Sequence, residues 1–408
     1  MKPLKSALFH CLAVLLSVVL LEIGFLLVLH MNGFYFHSAN SPKQELYSPM
    51  MPDNIRPNKR YIWSYIPFSS YTYIDRSAKK RFSVSINSES FRDKEPSERN
   101  SKAFNFIALG DSFTFGWLVD YPERWDQVLK GLIEKDFQVR AEAINRGMWM
   151  STFDQHALML EDNWVPSDMI IHLVYPSHLQ TIMRHKDVIR DGRIISVQDP
   201  ILVINRNRLL FQLDDILIEK RLYFPFSICG FSYLIKRYRF NALKGTDLAV
   251  LRSLPEDLIY ERDARSAFDR AYKLMELSVK QIAEFAREHK VPYLVVIVPT
   301  RGQVRQTEPK AQSASAGSMS EGMPQQRIMK ICRDTQYAQC LDLLGAFREN
   351  ATNGLYYETD FHWTPEGHAL AAREILKFIR ANDLKGGHLS RGLDGGMFDE
   401  PVARRARI

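Results

Sequence analysis

Residues 106–117 read FIALGDSFTFGW. An apolar run stops at Gly110, and an acid, a hydroxyl and two aromatic rings follow before Gly116. Apolar residues without alternation mark a strand buried on both faces, the kind found in parallel sheets covered by helices. A glycine at the end permits a tight exit and close backbone approach. In open α/β sheets, ligands bind at the carboxyl ends of the strands. Ser112 stands at such an end, so the stretch presents a serine where a substrate would lie.

The flanking sequence extends the pattern. A helix is expected after Pro122 through ERWDQVLKGLIEK, with apolar spacings of three and four. VRAEAINRG (139–147) reads as the second strand and MIIHLVYP (169–176) as the third; between them STFDQHALMLEDNW is a helix with Ser151 as its N-cap. A long helix at about 264–289 precedes the fourth strand, VPYLVVIVP, and QCLDLLG (339–345) is the fifth. The last helix starts near Thr364-Pro365-Glu366 and ends near Asn382. Alternating strands and helices predict a three-layer α/β/α domain over 103–383, built on a parallel five-stranded sheet. Residues 177–260 break the rhythm and read as an insertion. The Ser-, Ala-, Gly- and Gln-rich stretch 301–324 reads as a mobile loop. Residues 30–102 read as a juxtamembrane stalk with a few strands, such as RFSVSIN (81–87), and 384–408 as a flexible basic tail.

A serine is a weak nucleophile near neutral pH and needs a base to take its proton. The segment YYETDFHWTPEGH (356–368) supplies one. Asp360 and His362 are two apart, so on extended backbone they point the same way. The carboxylate can then orient the imidazole through one ring nitrogen and leave the other for Ser112. Asp111 is expected to brace its loop through backbone hydrogen bonds. His368 reads as a satisfied structural histidine, and Trp117 and Trp363 as packing rather than sugar platforms. His156, His172, His178 and His185 have no ligand spacing and default to structural or surface roles. There is no CxxC or HExxH, so neither metal nor cofactor is expected.

The N-terminus bears on location. After MKPLK, Ala7 to Leu29 is mostly apolar and long enough to cross a ~30 Å hydrocarbon core as a helix. A cleaved signal would have a shorter apolar region and a small-residue site, for which Ser38-Ala39 is a weak match. Residues 7–29 are therefore read as an uncleaved transmembrane anchor after a cytoplasmic segment, 1–6. Lys2 and Lys5 precede the span and no Lys or Arg follows directly, which keeps the N-terminus cytoplasmic and exports the rest. Glu22 inside the span reads either as a protonated or snorkelling side chain or as a contact with a partner membrane protein. Cys332 and Cys340 flank a short turn, and an exported domain can oxidise such a pair. The net charge of +7 over 408 residues reads as a solvated basic surface or an attraction to anionic glycans or headgroups. No nucleic-acid motif appears.

GDSFTFG resembles the first block of the SGNH/GDSL hydrolase family, and DFHWTPEGH its last. INRGM (144–148) ends the second strand where that family places its second block. The resemblance covers about 105–380 and implies a flavodoxin-like sheet. It also implies Ser112 as nucleophile, His362 as base, Asp360 as its orienter, and the N–H groups of Ser112 and Gly147 as oxyanion donors. The chain departs from the family twice. The third block, usually G-x-N-D, is replaced by VYPSHLQ (174–180), with Ser177 and His178 at the corresponding places. The Ser177 hydroxyl either supplies the third donor or leaves that corner empty. The spacing D-x-H in place of D-x-x-H resembles a branch handling O-acetyl groups on exported polysaccharides, which works beside a multispan acyltransferase. Asn87, Phe91 and Arg92 in INSESFRD (86–93) resemble a segment upstream of GDS in anchored members and are expected to support the site.

The sequence thus points to a membrane-tethered serine esterase acting on ester-linked acyl groups, O-acetyl above all, of a cell-envelope or exported polysaccharide. Its catalytic domain is expected to be periplasmic or extracellular, with the anchor in a bacterial inner membrane. An O-acyltransferase would use the same residues. A binding or assembly subunit with a slow or inactive site is the reading from another class, favoured by the altered third block.

Overall fold

The computed structural model describes residues 13, 16–21, 23–24, 34–38, 41–46, 55–75, 80–100, 102–182, 185–198, 268–305, 323–358 and 360–384. Six short strands come first: β1 (Phe34–Ser38), β2 (Ser41–Leu46), β3 (Ile55–Asn58), β4 (Ile62–Tyr65), β5 (Ser70–Asp75) and β6 (Lys80–Ser85). They pair as one four-stranded sheet, β1-β2-β5-β6, and one hairpin, β3-β4. The central sheet has five parallel strands: β7 (Phe104–Gly110), β8 (Ala141–Gly147), β9 (Met169–Val174), β12 (Tyr293–Ile297) and β13 (Ala338–Asp342). A hairpin of β10 (Lys186–Arg190) and β11 (Arg193–Gln198) lies between β9 and β12 in the chain. The sheet order β13-β12-β9-β7-β8 is the flavodoxin-like order expected from the sequence.

The apolar runs explain the layers. Along β7, Phe104, Phe106 and Ala108 enter one buried cluster while Ile107 and Leu109 enter the other. The first cluster is closed by α2 (Trp125–Phe137) and α9 (Pro365–Ala381), and the second by α3 (Phe153–Asp162), α5 (Asp269–His289) and α7 (Met323–Asp334). Among the described residues there are also four short helices: α1 (Ser112–Phe115), α4 (His178–Ile182), α6 (Arg301–Arg305) and α8 (Leu344–Glu349). Cys332 of α7 and Cys340 of β13 form a disulfide.

Several sequence expectations shift. The third strand ends at Val174, short of Pro176, which has no N–H to add to a ladder. The fifth ends at Asp342, whose carboxylate accepts the Leu344 N–H and turns the chain into α8. The N-cap of α3 is Thr152, paired with Gln155 in a capping box, rather than Ser151. Ser151 instead gives its hydroxyl to backbone carbonyls beside the site. The presumed insertion opens with α4 and the β10-β11 hairpin, and the rest of it, 199–260, lies outside the described residues. The presumed mobile loop begins as α6 and ends in α7, with 306–322 outside the described residues, as is the tail from 385. Of the expected anchor, 7–29, residues 13, 16–21, 23 and 24 are described and helical, and the rest lie outside. Among the described residues no helix is long and apolar enough to cross a membrane.

The stalk assignment changes most. Tyr65, Tyr71, Phe82, Val84 and Phe91 share a core with Phe115, Trp117, Trp149, Leu158 and Met159. The described residues between Tyr61 and Phe91 therefore pack as part of the body that carries Ser112.

Candidate active site

The position of Ser112 is built by backbone constraints on three sides. Ser112 is the first residue of α1, where a backbone N–H has no acceptor within the helix. Asp111 is its N-cap, accepting the Phe113 N–H at 2.9 Å through Oδ1, the bracing role expected for it. Gly110 has φ 152°, and a Cβ there would lie 2.5 Å from Thr114 Oγ1. Gly147 matters for another reason: a Cβ would sit 2.2 Å from the Phe115 N. The helix that presents Ser112 rests directly on the end of β8.

At the far end of α1, the buried guanidinium of Arg92 donates to the carbonyls of Phe115 (3.2 Å), Gly116 (2.5 Å), Val119 (2.9 Å) and Ser83 (3.2 Å). A cation at a helix C-terminus satisfies carbonyls left without partners. Burial, then the nearby Arg124 guanidinium, lowers the Arg92 pKa to about 10, which leaves it cationic at neutral pH. Arg124 pairs with Asp126 through two hydrogen bonds, 3.0 and 2.7 Å, with both side chains fully buried, and also donates to the Arg92 carbonyl. Asn145 joins this group to α1 by donating to Thr114 O (2.7 Å) and Asp126 Oδ2 (3.2 Å). The support expected from Asn87, Phe91 and Arg92 thus falls mainly to Arg92.

Across the site the structure brings together the three residues singled out in the sequence. Ser112 Oγ lies 2.7 Å from His362 Nε2 and donates its proton there, while His362 Nδ1–H donates to Asp360 Oδ1 at 2.5 Å. The His362 backbone N–H donates to the same oxygen at 2.8 Å. Burial works to raise the Asp360 carboxyl, but the His362 charge and hydrogen bonds, with Arg301, hold it below the usual carboxylate range. The loop is fixed by Arg301 of α6, whose Nη1 donates to the carbonyls of Tyr357 (2.9 Å), Glu358 (2.7 Å) and Asp360 (3.3 Å). Phe113 packs against His362 at 5.0 Å between ring centroids.

The expected oxyanion donors fare unequally. The Gly147 N–H is already given to Asn145 Oδ1 at 2.8 Å, so it is not free for a ligand in this arrangement. Ser177 is buried, and its Oγ has no hydrogen-bond partner among the described residues. Its neighbour His178 places Nδ1 3.2 Å from Asp111 Oδ2, a contact across the site that sequence spacing did not reveal. Burial, only partly offset by the Phe113 N–H and His362, raises Asp111 to about 7.

The remaining candidates are structural. Trp363 and Trp117 are buried, and the His368 Nδ1 accepts the Trp125 N–H at the start of α2. A buried chain runs from Tyr293 OH to His172 Nδ1 (2.9 Å), His172 Nε2 to His156 Nδ1 (2.8 Å) and His156 Nε2 to Ser151 Oγ (2.9 Å). Ser151 Oγ in turn meets the carbonyls of Gly110 (3.2 Å) and Met148 (2.8 Å). Burial lowers both imidazoles, His172 to about 3 and His156 well below the ordinary histidine range, with His172 and His178 adding to the effect on His156, so both are neutral. His185 pairs with Asp154 at 2.7 Å. Among the described residues no group of three or more His, Cys, Asp or Glu is placed to hold a metal.

Residues 260–392 match the family model of the SGNH hydrolase-like domain of acetyltransferase AlgX. Asp360 and His362 lie inside that match and Ser112 outside it. Similar solved structures include the acetyl xylan esterase AlAXEase, at 11% identity over 67% of this chain and 99% of that one, TM-score 0.37. The lipase Lip_vut3 from a goat rumen metagenome is 12% identical over 70% and 99%, TM-score 0.37. Axe2, an acetylxylan esterase from Geobacillus stearothermophilus, is 11% identical over 67% and 93%, TM-score 0.36. No curated protein matches.

Proposed function

We propose that this protein is a serine-dependent acyl-ester enzyme that acts on O-acetyl groups of a cell-envelope or exported polysaccharide. The observation that carries the reading is the hydrogen-bonded run Ser112–His362–Asp360, with distances of 2.7 and 2.5 Å. Ser112 Oγ attacks the acyl carbonyl while His362 Nε2 takes its proton. The Asp360 carboxylate keeps the imidazole in the tautomer that leaves Nε2 open. The Ser112 N–H and the unpartnered Ser177 hydroxyl hold the developing oxyanion, and the Gly147 N–H joins them only if Asn145 releases it. Collapse of the intermediate breaks the ester C–O bond, and His362 returns the proton to the leaving alcohol. Water then attacks the acyl-enzyme, with His362 again taking a proton, and acetate leaves.

A sugar hydroxyl in place of that water gives O-acetyl transfer with the same groups. The match of 260–392 to a domain of acetyltransferase AlgX favours keeping this second reading. In it, a multispan acyltransferase beside the anchor at 7–29 hands on the acyl group. The positive N-terminal flank and the Cys332–Cys340 disulfide both suit a chain tethered in a bacterial inner membrane with its body exported.

The test is acetate release from p-nitrophenyl acetate by the purified full chain. Release should vanish in Ser112→Ala and in His362→Ala, with unchanged thermal unfolding. Equal rates in wild type and both variants would refute the catalytic reading and favour a binding subunit. Adding a glycan acceptor separates the two chemistries, because only transfer yields an acetylated glycan by mass spectrometry. Fractionation of the tagged chain, with and without residues 1–30, tests the tether.

A further inference from the structure

Among the described residues, the aromatic rings that meet the His362 ring are those of Phe113, Trp117 and Phe361, and the last is the exposed one. Phe113, Tyr175, Trp117 and Trp149 are each under a tenth exposed, whereas Phe361, between Asp360 and His362, is 40% exposed. Its ring centroid lies 4.4 Å from that of His362. It also lies nearly parallel to Tyr175, 4° between planes with centroids 6.1 Å apart, and Tyr175 in turn meets Phe113 of α1 at 4.8 Å. The ring is thus contacted by two neighbouring rings and still 40% exposed. Its backbone is held too: Arg301 donates to the carbonyls of residues 357, 358 and 360, and Arg305 pairs with Glu358 at 2.5 Å. A large apolar ring left in water beside a reacting imidazole, on a loop fixed by two arginines, is a prepared surface rather than a loose one.

We propose that Phe361 is the platform on which the sugar ring carrying the acyl ester stacks, and so a specificity-determining residue for pyranose-borne esters. The axial C–H face of a pyranose is flat, weakly apolar and matched in width to a single benzene ring. Seated there, the sugar places a pendant O-acyl group towards the neighbouring His362 and its partner Ser112. A long acyl chain would instead need a buried apolar channel, and the rings that line the triad's inner side are packed against one another. The inference rests on the acyl-ester reading above and goes further by naming what holds the alcohol side of the ester.

The experiment uses the full chain and two acetate esters, methyl 6-O-acetyl-glucopyranoside and ethyl acetate. Phe361→Ala should raise KM for the acetylated glucoside, lowering kcat/KM on the order of tenfold, the size of one lost ring contact. It should leave kcat/KM for ethyl acetate unchanged. Phe361→Trp should restore the sugar ester to wild-type efficiency. An equal loss on both esters, or no loss on either, overturns the proposal; the first would mean the ring only props His362. Binding is read independently by saturation-transfer NMR with Ser112→Ala protein, where the glucoside ring protons should be saturated and the signal lost in Ser112→Ala/Phe361→Ala. Sugar binding that depends on Phe361 without any turnover would defeat the esterase reading and leave this one standing. Turnover of the glucoside indifferent to Phe361 would do the reverse, and no binding and no turnover overturns both.

Discussion

Replacing Gly147 by alanine tests whether the placement of α1 on β8 controls the reactivity of Ser112. The added Cβ would meet the Phe115 N at 2.2 Å, the Thr114 carbonyl carbon at 2.5 Å and the Phe115 Cα at 2.8 Å. All three are backbone atoms, so no side chain can swing aside. Ordinary contact begins at 3.4 Å, so α1 and β8 must separate by more than an ångström. Asp111 holds α1 at one end and Arg92 at the other, so the helix moves as a unit and carries Ser112 with it. Ser112 Oγ starts 2.7 Å from His362 Nε2, and a shift of that size removes the hydrogen bond. A misplacement near 1 Å costs about 10²-fold in rate, and overpacking of this kind costs roughly 1–3 kcal/mol in stability. Alanine keeps the N–H at 147, so the loss would report packing rather than a missing donor. The assay is kcat/KM on a small acetate ester together with the denaturation midpoint, and labelling by a serine-directed phosphonate counts correctly assembled sites. Gly131, on the middle of α2 with open space around its Cβ, is the control; alanine there should stabilise by about 0.5–1 kcal/mol and leave activity alone. A Gly147→Ala enzyme within twofold of wild type in both measurements would refute the reasoning.

Four other outcomes follow from the same geometry. Ser177→Ala should lower kcat by about 10²–10³-fold with KM nearly unchanged if its hydroxyl meets the oxyanion; an unchanged kcat removes it from the mechanism. Asp360→Asn should lower kcat by about 10³–10⁴-fold by favouring the wrong imidazole tautomer, with little change in Tm. Arg92→Lys should destabilise by about 2–4 kcal/mol in urea denaturation, because an ammonium cannot reach four carbonyls set around a planar fork. Asp111, raised to about 7 in the folded chain, binds an extra proton between about pH 4 and 7 relative to the unfolded one. Stability should therefore fall as pH rises through that window, by up to about 1.4 kcal/mol per unit, and level off above it. Asp111→Asn should flatten that slope, and denaturation curves at pH 5, 6, 7 and 8 showing the same slope in both proteins would contradict the assignment.

The parts legible in the sequence were those whose cause is local. The unbroken apolar run of β7 could only be a strand buried on both sides, and Gly110-Asp111-Ser112 marked its exit. The period of an extended chain placed Asp360 and His362 on one side. What stayed hidden depends on partners without sequence identity. Arg92 and Arg301 act on backbone carbonyls 9–27 and 56–59 positions away, and a carbonyl looks the same at every residue. The occupied state of the Gly147 N–H is hidden for a like reason, since it depends on which way the Asn145 amide turns. Exposure is likewise a property of the assembled fold. Trp117, Trp363 and Phe361 are all aromatic and all near the motif, yet only the last keeps an open face.

The boundary drawn near residue 102 fails on energetic grounds. A stalk needs only to span distance, and its polar groups can remain in water. Here Arg92, Asp93 and Asn87 are buried, which is costly unless each is met by partners. Asn87 is met locally, by Lys94 O and the Glu89 and Phe91 N–H groups, but Arg92 and Asp93 find partners across the boundary. Arg92 finds the carbonyls that end α1, Asp93 Oδ2 accepts the Asn145 N–H at 3.2 Å, and Arg124 reaches back to the Arg92 carbonyl. Arg92 and Asp93 thus link the C-terminus of α1 to β8. A chain cut at 102 would leave Arg124 and Asp126 paired but strip the cation from the C-terminus of a four-residue helix that has little else to hold it. Whatever the region before residue 55 does, the body that carries Ser112 therefore includes Arg92 and Asp93.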